Sequence, residues 1–391
     1  MKPLTKIRFS SYKRFIGTEE IELKPVTILV GKNSSGKSSI TKLFPMFRRS
    51  LLESAGGNVI SYKNDGVELG VNFSNLTHNG GSVELGFGAS FGDNTSIDVE
   101  LLMDSKSSEI IVNRYTLKKG DDEWSLKYDK QKNLYKCMQT GKEYTNKFRG
   151  MVLLELFADC YVDDRTCQCI DYIGPLRVKP ERTIYSVANS LDYVGVDGEN
   201  AYSLFVGDSE LQNKVSSWFE KCFGGCQIRV KQTSDFGYQI VLNKSDQGKY
   251  DVNIVDEGMG MGQVFPIVVR CLKKIENSIV VVEQPELHLH PAAHADLAKL
   301  FATSSKENKH TYVVETHSEN ILLGLREAIV DKEIEFSAED VIIYFVDEDE
   351  QGSYLKKITI DDNGILSDWP KGVFNESYEL LRSIMEKVSE K

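Results

Sequence analysis

A glycine-rich run near the N-terminus has the residue types and spacing of a phosphate-binding loop. Gly31 and Gly36 bracket four residues and are followed by Lys37 and Ser38, which completes the pattern G-x-x-x-x-G-K-[ST] after an apolar run. In such a loop, backbone N–H groups surround phosphate oxygens, the lysine reaches the β- and γ-phosphates, and the serine hydroxyl faces Mg²⁺. We therefore predict a P-loop that binds a nucleoside triphosphate through Gly31, Asn33, Ser34, Ser35, Gly36, Lys37, Ser38 and Ser39.

A second candidate is a carboxylate at the end of an apolar strand. Ile279–Val282 are four consecutive β-branched residues, which predict a strand buried on both faces, and Glu283 follows at its C-terminal end. An open α/β sheet places its ligands at that end, so Glu283 is predicted to be the acid linked to Mg²⁺, as in a Walker B motif. His288, His290 and His294 could instead form a metal cluster, although the strand-end acid explains the region without one.

A histidine follows another apolar strand, and a glycine-rich turn precedes both strands. Thr311–Val314 is followed by Glu-Thr-His-Ser, so His317 is predicted to orient the γ-phosphate from a strand end. The turn Asp256–Gln263 stands before a predicted helix at Val264–Lys274. It is either a tight loop or a second phosphate-binding surface that faces the γ-phosphate held by another copy. In the second interpretation the contacting residues are Asp256, Gly258, Gly260, Gly262 and Gln263.

The remaining pattern predicts the elements that position these residues. Leu4–Phe9 and Phe15–Leu23 alternate apolar and polar residues, which predicts two antiparallel strands before the P-loop strand, with the nucleotide base lying against them. Helices are predicted at Ile40–Leu52, Phe148–Tyr161 and Tyr202–Phe223. Further strands are predicted at Val67–Phe73, Ser82–Phe87, Ser96–Met103, Glu109–Leu117, the start of Asp171–Pro180 and, in two or three pieces, Ile228–Val255. The strand-rich middle has no heptad repeat, so long coiled-coil arms are not expected.

Composition limits the classes of function. The 391-residue chain has a net charge of −11, which argues against a surface coated for nucleic acid, so DNA or RNA contact would need a local patch. Because no apolar run is long enough for a membrane span and the N-terminus is polar, the predicted location is the cytoplasm. The seven cysteines include Cys167-x-Cys169 and Cys222-x₃-Cys226, whose spacings are unusual for zinc and indicate reduced thiols.

In the order P-loop, glycine-rich turn, strand with acid and strand with Thr-His-Ser, the chain resembles the ABC-type ATPases of the SMC, RecF and OLD group. The resemblance rests on Glu-Gln-Pro-Glu-Leu-His-Leu-His-Pro at residues 283–291 and Thr-His-Ser-Glu-Asn-Ile-Leu at residues 316–322, and it covers Met1–Ser50 and Val255 onwards. It implies an α/β fold class: an ABC-type P-loop ATPase head with N-terminal antiparallel strands, a strand-rich insertion and a small C-terminal domain. The implied domains are 1–58 and 171–336 for the two lobes of the head, 59–170 for the insertion and 337–391 for the C-terminal domain.

The resemblance also implies partners and a role. Two heads would form a homodimer that sandwiches two ATP molecules with Mg²⁺, each P-loop facing the glycine-rich signature turn of the other copy. Work in anti-phage defence or DNA repair is implied, often beside a separately encoded nuclease or toxin. Two roles stay open: the sensor or regulatory ATPase of a defence or DNA-maintenance system, and a RecF-like repair loader that acts directly on DNA. A transporter subunit is disfavoured, because the strand-rich middle and the Thr-His-Ser segment fit SMC-type heads better.

Two positions depart from the pattern of that group. The signature turn lacks its usual serine, and the acid–acid pair of ABC heads is replaced by Glu283 and Gln284. Because an amide cannot accept a proton as a carboxylate does, we predict slow hydrolysis, with the attacking water positioned by Gln284, Glu286 or His317. No glutamine-loop residue is evident, and Asp171–Arg177 is the best candidate region.

Overall fold

The structure is a computed structural model that describes residues 3–51, 59–80, 84–104, 109–160, 169–185, 193–244, 250–368, 374 and 376–389. Its strands are β1 Leu4–Ser10, β2 Thr18–Glu22, β3 Val26–Gly31, β4 Lys63–Asn64, β5 Val67–Glu68, β6 Leu85–Phe91, β7 Thr95–Met103, β8 Ile110–Lys119, β9 Asp122–Asp129, β10 Leu134–Cys137, β11 Glu143–Thr145, β12 Phe148–Arg149, β13 Val152–Leu153, β14 Ile170–Ile173, β15 Ile184–Tyr185, β16 Cys226–Gln232, β17 Gly237–Lys244, β18 Val252–Asn253, β19 Ile279–Glu283, β20 Thr311–Glu315, β21 Val341–Asp349 and β22 Gly352–Ile358. Its helices are α1 Lys37–Thr41, α2 Leu43–Leu51, α3 Leu154–Asp159, α4 Ala201–Gly207, α5 Ser209–Cys222, α6 Met259–Leu272, α7 Pro291–Glu307, α8 Glu319–Val330 and α9 Glu376–Ser389. None of these described helices combines the length and the apolar composition that crossing a membrane requires.

A six-stranded central sheet carries the predicted site. Its strands lie in the order β14-β19-β20-β3-β21-β22, parallel from β14 to β21 and closed by an antiparallel hairpin between β21 and β22. Strands β3 and β19 are buried along their whole length, as expected for β-branched runs covered on both faces. The carboxyl ends of β3, β19 and β20 therefore share one edge, where the P-loop, Glu283 and the Thr-His-Ser segment begin.

An eight-stranded antiparallel sheet forms a second layer. Its strands lie in the order β11-β10-β9-β8-β7-β6-β1-β2. The first two strands pair antiparallel, as predicted, with Ile7 beside Ile21, and β1 also pairs with β6. Strands β6 to β11, from the predicted insertion, extend the sheet that β1 and β2 begin. The N-terminal strands and the strand-rich segment therefore fold as one layer.

Two hydrophobic cores cover the opposite faces of the central sheet. On one face, Val281 and Val313 pack with α2 and the antiparallel sheet, where the rings of Phe47 and Phe87 meet edge to face with centroids 6.3 Å apart. On the other face, side chains such as Val280 pack with helices α4 to α8. This division follows the two-residue period of a strand. Each inner strand is consequently fixed from both sides, which fixes the side chains at its end.

One predicted helix is wrong. In place of a helix over Phe148–Tyr161, the structure has the hairpin of β12 and β13 followed by the short helix α3, and Tyr161 lies outside the described residues. Gly150 makes the turn with a φ of +56°, packed against the backbone of Ser50. The next residue, Met151, donates its N–H to the Ser50 carbonyl oxygen at 2.7 Å. A tertiary contact therefore overrides the local helical pattern.

Other predicted elements differ only in extent. The helix predicted over Ile40–Leu52 is divided at Lys42 into α1 and α2. The helix predicted over Tyr202–Phe223 is divided at Asp208, whose carboxylate accepts a hydrogen bond from the Leu211 N–H at 3.0 Å and caps α5. The first strand predicted in the middle segment is reduced to β5, and α6 begins inside the predicted glycine-rich turn. Three strands, β16 to β18, follow α5.

Candidate nucleotide-binding site

The P-loop joins β3 to α1 in a conformation that requires its glycines. The backbone φ is +151° at Gly31 and +111° at Gly36, and Ser34 also has a positive φ of +64°. A Cβ atom on Gly31 would lie 2.3 Å from the Val346 carbonyl oxygen, and one on Gly36 would lie 2.9 Å from the Phe15 ring. The loop is therefore closed tightly between β21 and the turn after β1, and its backbone can approach a ligand directly.

Lys37 folds over the loop. Its Nζ donates to the carbonyl oxygen of Gly31 at 2.9 Å and to that of Lys32 at 2.6 Å. Burial lowers the pKa of Lys37, and the nearby Glu315 carboxylate opposes that shift. An ammonium group has three N–H donors, so Lys37 can brace the loop and still offer a donor to a phosphate.

Ser38 and Glu315 are hydrogen-bonded to each other beside the P-loop. Ser38 Oγ donates to Glu315 Oε1 at 3.0 Å, whereas Oε2 is buried and has no hydrogen-bond partner among the described residues. Burial, and then the neighbouring Glu283, raises the pKa of Glu315 to about 7. Glu315 was not among the residues predicted from the sequence. A signal for it existed, because it ends the strand that contains Thr311–Val314 and lies beside Glu283 in the sheet register.

Glu283 is held by hydroxyl groups from two other elements. Its Oε1 accepts hydrogen bonds from Thr41 Oγ1, in α1, and from the Tyr172 hydroxyl, in β14, at 2.7 Å for the latter. Hydroxyl and carboxylate oxygens are the hard ligands that Mg²⁺ prefers. Ser38 together with Glu283 or Glu315 therefore fits a Mg²⁺ ion that accompanies a nucleotide.

These groups open into a cavity of about 570 Å³, within the size range of small-molecule sites. The cavity is lined by the P-loop, by strand ends and by the turn after β1, through Lys13, Arg14, Asn33, Ser34, Gly36, Lys37, Ser38, Ser39, Gln284, Glu315 and His317. Lys13 and Arg14 were not predicted, and the only sequence signal was a basic pair between the first two strands. They add positive charge where a triphosphate would lie.

The three residues predicted to position water occupy different places. Gln284 and His317 line the cavity, whereas the Glu286 carboxylate accepts a hydrogen bond from the His317 backbone N–H at 2.7 Å. Gln284 has a φ of +44°, and its N–H donates to the Glu315 carbonyl oxygen at 2.7 Å. Burial, and then Lys37, lowers the pKa of His317. The structure brings Gln284 and His317 together and places Glu286 behind them as a support.

The glycine-rich turn does not line the P-loop cavity of its own chain. Asp256 and Gly258 are exposed, and Asp256 pairs with Arg182 at 2.5 Å. Gly258 precedes α6, and a Cβ atom there would meet open space. A Cβ atom on Gly260 would lie 2.5 Å from a backbone carbonyl oxygen in the loop after β19, and one on Gly262 would lie 3.1 Å from a proline in the loop after β14. Gly260 and Gly262 therefore serve close packing, and Gly258 does not.

Gln263 and Arg177 connect this turn to the end of β19. Gln263 Oε1 accepts from the Arg177 N–H at 3.3 Å, and Gln263 Nε2 donates to the Arg177 carbonyl oxygen at 2.9 Å. The Arg177 guanidinium donates to the carbonyl oxygens of Glu283 at 2.5 Å and of Gln284 at 3.2 Å. Gln263 is therefore bonded within its own chain, and Arg177 lies in the region predicted to replace the glutamine loop.

The predicted alternative of a histidine or cysteine metal centre has no geometric support in the ranges that the structure describes. Within them, no group of three or more His, Cys, Asp and Glu side chains is arranged to hold a metal ion. His288 and His290 are exposed, and His294 is hydrogen-bonded to Ser318 at 2.7 Å. Cys167, from the first cysteine pair, lies outside the described residues.

Comparison with known families gives two matches. The family described as AAA ATPase domain matches residues 1–151 and 200–322. A family described as Protein of unknown function (DUF3696) matches residues 336–384, which begin at the predicted C-terminal domain. No curated protein matches the chain.

Comparison with solved structures identifies the fold. An SMC head bound to the C-winged helix domain of ScpA is 14% identical, with a TM-score of 0.52, over 91% of this chain and 98% of that chain. An Smc head domain with an extended coiled coil, bound to the C-terminal domain of ScpA and derived from Pyrococcus furiosus, is 12% identical, with a TM-score of 0.50, over 98% of this chain and 100% of that chain. The predicted fold class, an α/β P-loop ATPase head of the SMC type with an antiparallel sheet, is confirmed.

Proposed function

Because the chain belongs to the AAA ATPase domain family, we propose that it is an ABC-type ATPase that binds ATP with Mg²⁺ at the P-loop and pairs two heads around the nucleotide. One observation carries this proposal. The ends of β3, β19 and β20 bring Lys37, Glu315 and the P-loop backbone around one cavity of about 570 Å³. A cavity with these groups can hold a triphosphate and its metal ion.

The chain's own residues hold the phosphates. The N–H groups of the P-loop and the Lys37 ammonium bind the phosphate oxygens, and Lys13 and Arg14 add positive charge at the cavity wall. Mg²⁺, when bound, neutralises charge on the β- and γ-phosphates. Ser38 and one carboxylate of the strand-end pair would hold it.

Slow hydrolysis is part of the proposal. Gln284 lines the cavity where ABC heads carry a glutamate, and its amide can orient a water molecule without accepting its proton. His317 also lines the cavity, while the Glu286 carboxylate is engaged with the backbone of His317. A head that binds ATP readily and hydrolyses it slowly would stay paired for long periods, as a sensor or clamp does.

The surface around the glycine-rich signature turn supports the pairing of two heads. Gly258 is exposed at the N-terminus of α6, where backbone N–H groups and the helix dipole favour an anion. Large apolar side chains are exposed at Met259, the next residue, at 55%, and at Leu176, whose neighbour Arg177 is hydrogen-bonded to Gln263, at 75%. We propose that this surface covers the γ-phosphate held by the P-loop of a second copy.

Light scattering with saturating ATP and Mg²⁺ tests the pairing. The wild type should rise from the mass of a monomer to that of a dimer, and Lys37→Ala should not. Gly258→Ala should weaken pairing, because a methyl group would stand between the α6 N-terminus and the phosphate. Gly207→Ala is the matched control, since its added Cβ atom also meets open space. A wild-type mass that stays monomeric refutes the pairing, and equal pairing by Gly258→Ala refutes the role of the turn.

For the biological role, we propose a cytoplasmic sensor or regulatory ATPase of an anti-phage defence or DNA-maintenance system, with a separately encoded effector. The helix α9 presents one apolar stripe in which Leu380, Ile384, Met385 and Val388 are each more than half exposed. Such a stripe is typical of a surface that binds another protein. A solved SMC head is bound to a domain of ScpA, which supports a head that works through a protein partner.

Two measurements on the purified protein test this role. Incubation with DNA and RNA, with and without ATP, should give no cleavage, and cleavage that Lys37→Ala abolished would contradict a separate effector. Fluorescence anisotropy with labelled DNA tests the RecF-like alternative. Tight binding that requires ATP and is lost in Lys37→Ala would favour direct action on DNA over a regulatory role.

A further inference from the structure

We propose that Glu315, together with Ser38, supplies the protein ligands of the Mg²⁺ site, and that Glu283 instead holds α1 in place. The inference rests on the proposed function, because it concerns the metal ion that accompanies ATP. It assigns the metal to the end of β20, whereas the sequence pattern placed it at the end of β19.

The first observation is a buried oxygen without a partner. Glu315 is 3% exposed, and its Oε1 is engaged by Ser38 while its Oε2 meets no donor in the described part of the chain. Leaving a buried polar atom unpaired lowers stability, and more so for a charged group. Glu315 also lines the P-loop cavity, so its carboxylate can bind a cation there without breaking a second hydrogen bond.

The second observation is that Glu283 is already engaged. Its Oε1 accepts from both Thr41 and Tyr172, so the carboxylate links α1 to β14. Glu283 is not one of the residues that line the cavity. Its Oε1 could not bind a metal ion without weakening those hydroxyl bonds, whereas Oε2 of Glu315 has no hydrogen bond to break.

The charges around Glu315 favour a bound cation. Its carboxylate faces those of Glu283 and Glu286 and the ammonium of Lys37. In their ionised forms, these three carboxylates are balanced only in part by Lys37 and by the guanidinium of Arg177, which faces Glu283 and Glu286. A cation bound by Glu315 would offset the negative charge that remains.

Manganese titration tests the assignment without relying on turnover. Mn²⁺ replaces Mg²⁺ as an observable probe, and electron paramagnetic resonance measures its binding in the presence of a non-hydrolysable ATP analogue. For Glu315→Gln, the Mn²⁺ concentration at half-saturation should rise by about 10- to 100-fold. Glutamine keeps an acceptor for Ser38, so the variant should fold, and thermal unfolding verifies this. Glu283→Gln should give a much smaller rise, because glutamine still accepts from Thr41 and Tyr172.

The control is Glu276→Gln, which removes a carboxylate from an exposed ion pair and should leave the Mn²⁺ titration unchanged. The inference is refuted if Glu315→Gln titrates like the wild type, or if Glu283→Gln carries the larger loss. Analogue binding by the wild type with saturating Mg²⁺ separates this failure from a failure of the proposed function. A wild type that bound no analogue would refute the function itself, whereas binding with no dependence on Glu315 refutes only the assignment of the metal ligand.

Discussion

Two buried polar clusters of the central sheet differ in how completely their groups are paired. In the first, which we call the Arg270 cluster, Arg270 Nε donates to Asp171 Oδ2 at 2.9 Å and Nη2 donates to Ser278 Oγ at 2.7 Å. His310 lies 3.4 Å from the same guanidinium and 3.0 Å from the Tyr312 hydroxyl. Every side chain of this cluster has a partner, so its polar groups are satisfied by the fold alone.

The P-loop cavity is paired only in part. Among the described residues, Ser35 Oγ in the loop, Glu286 Oε2 behind the cavity and Glu315 Oε2 at its wall are buried atoms without a hydrogen-bond partner. Native proteins pair nearly all buried polar atoms, so several unpaired ones in one region need an explanation. From this difference we infer that the Arg270 cluster stabilises the fold, while the groups around the cavity keep unused hydrogen-bonding capacity for a ligand.

The same physical cause shifts a pKa in each cluster. Burial raises the pKa of Glu315 to about 7 and lowers that of His310 from 6.5 to about 3. Both shifts favour the neutral form of the group. A cation in the cavity can reverse the first shift. Nothing comparable acts on His310, because its charged neighbour Arg270 also opposes a positive charge.

The largest expected effect is on stability, from Arg270→Met. Removing one member of a buried ion pair leaves Asp171 charged and uncompensated, which costs about 3–5 kcal/mol of unfolding free energy. Chemical denaturation measures it. The double variant Arg270→Met with Asp171→Leu should recover much of the loss, because no buried charge remains. A single variant as stable as the wild type would contradict a structural role for the pair.

Lys37→Ala should weaken ATP binding and not stability, in contrast to Arg270→Met. ATP affinity should fall about 100-fold, on the order of 3 kcal/mol, because charge-assisted bonds to phosphate are lost. The unfolding free energy should change little, because the loss of the two loop hydrogen bonds of Lys37 is offset by removal of its buried charge. Calorimetric titration measures the affinity, and Lys32→Ala, an exposed lysine of the same loop, is the control. A loss of ATP affinity in both variants would indicate a general effect of positive charge and not a specific contact between Lys37 and the phosphates.

The third effect depends on pH. The unfolded chain protonates His310 below about pH 6.5, and the folded chain does so only near 3, so stability falls as the pH falls through that window. Between pH 6.5 and 4.5 the loss from this group should be about 2–3 kcal/mol. His310→Asn, which keeps a partner for the Tyr312 hydroxyl, should flatten the pH profile of unfolding. An unchanged profile would show that other groups cause the acid loss.

A fourth, smaller effect concerns hydrolysis. Gln284→Glu should accelerate single-turnover hydrolysis about tenfold and shorten the lifetime of the paired heads. The gain is less than the ~10²–10⁴-fold of a well-placed base, because His317 also lines the cavity. Glu286→Gln should change the rate little, because that carboxylate supports the His317 backbone. If Glu286→Gln abolished turnover and Gln284→Glu did nothing, the water would be activated two residues further along.

The sequence could predict what depends on neighbouring residues. The P-loop depends on spacing between Gly31 and Ser38, and the strand-end position of Glu283 on one apolar run, so both were predictable. Glu315 was missed because its contact with Ser38 spans 277 residues and depends on the order of strands in the sheet. The helix predicted after β11 was wrong for the same kind of reason, since Gly150 turns against a distant backbone.

The smallest expected effect tests whether Glu283 stabilises the fold, as the Arg270 cluster does, or serves the ligand, as the P-loop cavity does. The buried Tyr172 hydroxyl donates to Glu283, and its removal in Tyr172→Phe should cost about 1 kcal/mol of unfolding free energy. Tyr135→Phe is the matched control, because its buried hydroxyl donates to the Val112 carbonyl oxygen in the antiparallel sheet. If Glu283 is a structural acid, the two variants should lose similar stability and keep the wild-type affinity for Mn²⁺ in the presence of the ATP analogue. A fall in Mn²⁺ affinity in Tyr172→Phe alone would move Glu283 from the paired, fold-stabilising groups to those that serve the ligand.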